Sequence, residues 1–367
     1  MINNYTLVLG FKTKKRNYTW LILFIPFLFY SIDLTLKKTP FTSDQIPVIN
    51  NILSGLIKLE NFNSERPLID YGFKLFLVFL PFLFFSILEI SQEKLLDFKN
   101  FPNTSLGKIK KSIGYKYADI WYFFLSMILA KIPQLMLLST LGFTLFNSRI
   151  NSWFHHIYKS YIPLPYSEVN GAILFLILIL MQDFFDYLRH RLQHSVPLLW
   201  DLHEFHHSPT QMTYLSNSRN LPLQNLLLAP ILIPFTALIG LIFVEYLSQG
   251  LFFPLIIYIL YIALQRLNTV LGHGSLKVVY PKFLSNIFLS PSLHWIHHSN
   301  NPKHFNSNFG VIFVFWDKLF GTYLGPDQIK NIKKYGLPNS QYNKFHPLYS
   351  YFFIPFIKIK KRLFKFI

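Results

Sequence analysis

Six mostly apolar runs, at 20–36, 75–88, 118–146, 172–185, 226–247 and 251–271, limit what this chain can fold into. A helix rising ~1.5 Å per residue needs ~20 residues to cross ~30 Å of hydrocarbon, and several runs reach that length. Barrel strands would give shorter, alternating signals. The expected fold is all-α: a multi-pass integral membrane helical bundle of four to six spans with a helical cytoplasmic cap. The range reflects Lys131 and Pro133 inside 118–146, a stretch that reads as one tilted helix or as two re-entrant pieces. Pro26 and Pro81 interrupt the first two runs, which membrane helices tolerate better than soluble ones. With no small-residue cleavage signature after it, the first run reads as a retained span rather than a signal peptide.

Charge placement orients these runs. Lys and Arg number 35 against 17 Asp and Glu, a formal net charge of +18. Most of the basic residues flank the runs, as in Lys12, Lys14, Lys15 and Arg16, then Lys108, Lys110, Lys111 and Lys116, then Lys330, Lys333 and Lys334, then Lys358, Lys360, Lys361 and Arg362. That placement suits anionic headgroups and a positive-inside orientation, whereas no basic-aromatic nucleic-acid module stands out. With the N-terminus in the cytoplasm, span parity brings the end of 172–185, the end of 251–271 and the polar segment beyond it to the cytoplasmic face. The last two spans form a hairpin turning at Gln249 and Gly250. The expected divisions are a variable N-terminal membrane region at 1–117, a core at 118–325 and a basic tail at 326–367.

Nine of the thirteen histidines fall where that parity converges. His190 and His194 follow Asp186 at successive i,i+4 positions of one helical face, so Asp186 is placed to ligate beside them or to accept a ring N–H. The next box contains His203, His206 and His207, and the same His-x-x-His-His spacing returns 91 positions later as His294, His297 and His298. Chance recurrence of that spacing among thirteen histidines is improbable. His273, isolated between glycines, joins through its position at the end of 251–271. His155, His156, His304 and His346 read as ordinary structural histidines.

Cysteine is absent, which excludes thiolate ligands, cysteine nucleophiles and disulfides. Neutral imidazole suits Fe, Zn, Cu or Ni and disfavours Mg or Ca. Eight or nine ligands exceed the needs of one ion, so the expected cofactor is two non-haem Fe ions with O2 as co-substrate. Beside hydrocarbon spans, the substrate expected for such a centre is an apolar membrane lipid.

The boxes and their flanks resemble the fatty acid hydroxylase/sterol desaturase superfamily of integral membrane diiron proteins. The resemblance rests on His190-x-x-x-His194, Leu199-Trp200-x-x-His203-x-x-His206-His207-Ser208 and Pro291-x-x-His294-x-x-His297-His298. Arg219-x-x-Pro222, Asn308-Phe309-Gly310 and the stretch from Trp316-Asp317 to Thr322-Tyr323 add to it, so it covers about 170–325. It implies an O2-dependent hydroxylase or desaturase of a fatty acyl, alkyl or sterol chain, with the boxed histidines as iron ligands. His273 resembles the family's isolated ligand, although Ser275 stands where the family has asparagine. Asn308 and Asp317 are candidates for supporting the site, and Arg219 for meeting a substrate headgroup. No haem-binding domain is apparent beside the spans, so electrons are expected from a separate ferredoxin, b5-like protein or reductase. Hydroxylation or ether-lipid oxidation is favoured by analogy alone.

Three rivals use the same residues differently. His203-Glu204-x-x-His207 also reads as the H-E-x-x-H of a zinc metallopeptidase, with Glu204 as base. That reading leaves the second His-x-x-His-His box unexplained. A non-catalytic metal- or lipid-binding membrane protein would keep the ligands for folding. A transporter would carry its ionisable groups at mid-depth rather than beyond the ends of the spans.

Overall fold

The computed structural model describes residues 7–8, 105–109, 118–129, 148–161, 165–251, 253–337 and 339–364. All of these belong to one compact unit. The apolar runs at 20–36 and 75–88 lie outside the described residues, as does 131–146.

The described part is helical. In chain order its helices are α1 (Ser105–Ile109), α2 (Ala118–Leu129), α3 (Ser148–Tyr161), α4 (Glu168–Ser195), α5 (Pro197–His207), α6 (Pro222–Ser248) and α7 (Phe253–His273), then α8 (Lys282–Ser285), α9 (Leu293–His297), α10 (Phe315–Leu319), α11 (Pro347–Phe352) and α12 (Ile354–Leu363). The β structure among the described residues is slight: Leu7–Val8 pairs in parallel with Val278–Val279, beside two isolated bridges. By length and composition, α4 is the one helix among them that is long and apolar enough to cross a membrane.

The sequence explains the start and stop of α4. Ser167 caps it by accepting from the Asn170 backbone N–H at 3.1 Å. Val196 then leaves helical geometry, and Pro197 opens α5 at a position where its missing N–H costs nothing. Two histidine boxes therefore ride on consecutive helices joined by one residue.

Helices α4 and α7 are joined by a polar ladder inside an otherwise apolar contact. Tyr258 donates to Gln182, Tyr261 to Asp183 at 3.5 Å, and Gln265 to Asp186 at 2.7 Å. Asp183 also accepts backbone N–H groups of Ile312 and Phe313 at 3.2 Å, so a buried carboxylate ties the long helix to the loop after the third box. On the other flank of α4, Phe175 and Leu178 pack with Ile239, Ile242 and Tyr246 of α6 and with Phe154 and Tyr158 of α3. Helices α6 and α7 meet at Gly250, whose φ of +71° lies in the left-handed region that favours glycine.

The C-terminal segment returns to the site. Tyr342, Tyr351 and Ile354 form a core with Ala118 and Tyr122 of α2 and with Leu202 and Phe205 of α5. Phe205 is fully buried there, and truncating such a side chain typically costs about 3–5 kcal/mol. The outer face of α5 also carries charge: Asp201 pairs with Arg362, and Glu204 with Lys358. The remaining face of α5, bearing His203, His206 and His207, is left for the interior.

Candidate metal centre

All nine histidines expected from the sequence converge. They divide into two groups, His190, His194, His203, His207 and His297 in one and His206, His273, His294 and His298 in the other, with donor atoms in each group within 4.8 Å of one another. The division follows from helical spacing. Residues four apart nearly share a face, whereas the residue three along is displaced to the other flank. The second box accordingly gives its i,i+4 pair, His203 and His207, to the five-membered group and His206 to the four-membered one. The third box does the reverse, giving His294 and His298 to the four-membered group and His297 to the other. The two repeats thus exchange one histidine each across the cluster.

The tautomers point their lone pairs inward. The Nδ1–H of His190 donates to Phe309 O at 3.0 Å, that of His273 to Thr269 O at 2.8 Å, and that of His297 to Ser307 O at 2.7 Å. A carbonyl only accepts, so each neutral ring has a bare Nε2 turned toward its neighbours. The His273 Nε2 lies 3.2 Å from that of His206 and 3.3 Å from that of His294. His298 and His294 approach to 3.0 Å, and His297 and His207 to 3.1 Å, again between Nε2 atoms. Two imidazole nitrogens each ~2.1 Å from one ion stand ~3 Å apart at right angles, so these separations fit coordination.

The uncoordinated atoms give the same answer. The Nε2 atoms of His190 and His194 and both ring nitrogens of His203 are buried without a hydrogen-bond partner. Leaving such groups unpaired is costly, and a cation would satisfy them. Burial, reinforced by the neighbouring imidazoles, holds His203, His206, His207, His294 and His298 well below the ordinary 6.5. Burial also lowers His297, to about 4, against the opposing effect of its hydrogen bond to the Ser307 carbonyl. The neutral form that a transition metal needs is therefore the form present at physiological pH.

The loop after the third box braces the five-membered group. The Asp317 carboxylate accepts from the backbone N–H groups of Phe309 and Gly310, both at 2.8 Å, and from Thr322 Oγ1 at 2.7 Å. Desolvation nevertheless raises its pKa to about 6, against the lowering effect of those donors. Phe309, so fixed, accepts from His190 and sets its ring against His190, His194 and His297. Gly310 permits this closeness, because a Cβ there would sit 2.8 Å from Asp317 Oδ2. Asn308, at φ 54°, donates to Leu293 O and Leu324 O and accepts from Leu324 N, tying the start of α9 to the chain beyond the loop.

Other expected residues stand elsewhere. Asp186 receives Gln265 and pairs with Arg189 at 2.9 Å rather than meeting a histidine, because four residues overshoot one helical turn and carry it toward α7. Arg219, expected at a substrate headgroup, is instead 1% exposed and internal. It donates to Asp119 at 2.7 Å, Ser208 Oγ at 2.6 Å and Asn343 Oδ1 at 2.9 Å, with Tyr122 beneath its guanidinium. A buried guanidinium needs a counter-charge and filled donor sites, and this set supplies them. Glu204, the base of the metallopeptidase reading, faces away from the cluster into Ser340 and Lys358. His155 bonds Glu245, His346 caps α11, and neither His156 nor His304 belongs to either group.

Sequence reasoning passed over Asp183 and Asp119. Asp183 carried a usable signal, being an ionisable residue inside an apolar run.

A fatty acid hydroxylase family model matches residues 175–322, the stretch that carries every one of these histidines. This part of the chain belongs to the fatty acid hydroxylase family. The chain is 29% identical over 171 residues to the alkylglycerol monooxygenase of Caenorhabditis elegans, covering 47% of this chain and 30% of that protein. It is 29% identical over 168 residues to the human alkylglycerol monooxygenase, covering 45% and 33%. The ornithine lipid hydroxylase OlsE of Rhizobium tropici is 27% identical over 175 residues, 48% of this chain and 47% of its own. The chain thus spans between 30% and 47% of the length of these curated relatives. No solved structure matches the chain.

Proposed function

We propose that this protein is an O2-dependent diiron oxidoreductase that hydroxylates a C–H bond of a membrane lipid. The observation that carries the reading is the partition of nine histidines into two adjoining groups with their unprotonated nitrogens turned inward. In this reading His190, His194, His203, His207 and His297 hold one iron, and His206, His273, His294 and His298 hold the other. Two irons, when bound, supply O2 activation and the oxidising power for an unactivated C–H bond. Hydroxylation consumes one O2, two electrons and two protons, and yields the alcohol and water.

The chain's own residues do the rest. The carbonyls of Phe309, Thr269 and Ser307 fix the ring orientations, and the Phe309 ring packs against His190, His194 and His297. Committed to Lys358 and Ser340, Glu204 is not placed to serve as the base that a metallopeptidase would need. Electrons come from a separate ferredoxin, b5-like protein or reductase. The reading also carries the multi-pass bundle, the cytoplasmic face for the histidine boxes and a core at about 118–325. The hydropathy of α4 and the charge pattern support that placement.

The test is purification with metal analysis followed by lipid mass spectrometry. Two irons per chain and an O2-dependent mass gain of one oxygen are expected. Loss of two hydrogens would instead mark a desaturase. A single zinc with O2-independent peptide hydrolysis would overturn the diiron reading.

A further inference from the structure

A cavity of about 150 Å³ touches both histidine groups, through His190 and His203 of one and His206, His273 and His294 of the other. Its other walls are not those of a simple hydrocarbon slot. Gln193, Asn217, Asn220, Gln224 and Asn268 contribute five amides, and Arg189 a guanidinium. Asn268 is committed to the carbonyls of Leu289 and Val311. Gln193 is different: it is 3% exposed, and its Nε2 is buried without a partner. The Arg189 Nε is likewise unpartnered, although its other end holds Asp186.

We propose that this cavity is a binding site for an uncharged oxygen function of the lipid, a hydroxyl, ether or amide group, with Gln193 as its hydrogen-bonding contact. The inference rests on the diiron lipid oxidation proposed above and adds where on the lipid that oxidation falls. An isolated alkyl chain would leave the Gln193 amide unpaired and dry, a desolvation cost that a lipid oxygen removes. Cavities of this size hold a benzene-sized group, so the polar head enters and the long chain stays outside. The C–H bond presented to the metals then lies within a few bonds of that oxygen, not in mid-chain.

The chain has no cysteine, so an Asn217→Cys variant carries a single thiol in the cavity wall whose alkylation by a maleimide reports occupancy. The full-length protein in detergent micelles is titrated with hexadecylglycerol ether, hexadecanol and hexadecane, which share one chain length. The two oxygen-bearing probes should protect the thiol and hexadecane should not. Adding the near-isosteric Gln193→Met substitution should raise the half-protecting concentration about tenfold, the upper range for one buried neutral hydrogen bond. Equal protection by hexadecane, or an unchanged half-protecting concentration in Gln193→Met, would overturn the proposal. If that double variant fails to accumulate, the probe series on Asn217→Cys alone still decides it. Iron content measured on the same samples separates the two readings: two irons without selective protection removes the oxygen site and leaves the diiron proposal standing, whereas selective protection without iron does the reverse.

Discussion

The five-histidine and four-histidine groups are built from the same i, i+3, i+4 spacing, yet they stand on different foundations. Four members of the larger group come from α4 and α5, and the loop pinned by Asp317 backs it. The smaller group takes His273 from the last position of α7 and His294 and His298 from a five-residue helix and its cap. It borders the amide-lined cavity more closely, contributing three of its four histidines to the wall. In the diiron reading, redundant ligands on α4 and α5 would make one half the more rigid, and the other would be lean and nearer the amide-lined cavity. A division of labour of this kind cannot be read from the number of histidines alone.

The largest effect should come from removing one ligand on each side. His298→Ala is expected to abolish lipid oxidation and lower iron from two to one per chain, whereas His203→Ala, with four partners remaining, should retain more metal. Equal metal loss in both variants, read by elemental analysis, would break the distinction between a rigid and a lean half.

Arg219 offers a change that should not distinguish the halves. Arg219→Met strands the Asp119 carboxylate in the interior, and breaking a buried pair typically costs about 3–5 kcal/mol. Because Ser208 follows His206 and His207 directly, both groups should loosen together, with the double variant Arg219→Met/Asp119→Leu recovering stability. Thermal unfolding in detergent checks the order of the three proteins.

Asp317→Asn should act on one half. It weakens the hold on Phe309, and through that carbonyl the orientation of His190. Loss of such outer support typically costs about 10–100-fold in metal affinity or activity. Chelator competition should show one weakly held iron and one unchanged; two weakened irons would mean that the loop braces the whole cluster.

The smallest effect belongs to Glu204→Gln. It gives up a partly exposed ion pair with Lys358, worth about 1 kcal/mol or less, and should leave product formation within about twofold. A collapse of turnover with stability intact would return Glu204 to the chemistry and revive the metallopeptidase reading.

Helical character and the nine histidines were legible because periodicity and repeated spacing are local properties. The exchange of His206 and His297 between the groups was not, since it depends on how α5 and α9 face one another. Arg219 was misplaced for a similar reason: its counter-charge lies 100 residues earlier and another of its partners 124 residues later. Asp186 shows the limit of an i,i+4 argument, because four residues overshoot a full turn and the excess carries it toward Gln265. The spans expected at 20–36 and 75–88 fall outside the described residues.

The ion pairs on the outer face of α5 bear on how the centre is born. All nine histidines have been synthesised by residue 298, but Lys358 and Arg362, which clamp the second box through Glu204 and Asp201, follow about 60 residues later. At ~5–20 residues per second that interval lasts ~3–12 s. If the histidines bind metal as proposed, they would be able to meet an ion before their scaffold is closed, and the choice of ion would then be in part a race between capture and completion. Comparing zinc and iron on ribosome-arrested chains ending before and after Lys358 would time that race, and identical metal content at both stages would show that the clamp has no part in it.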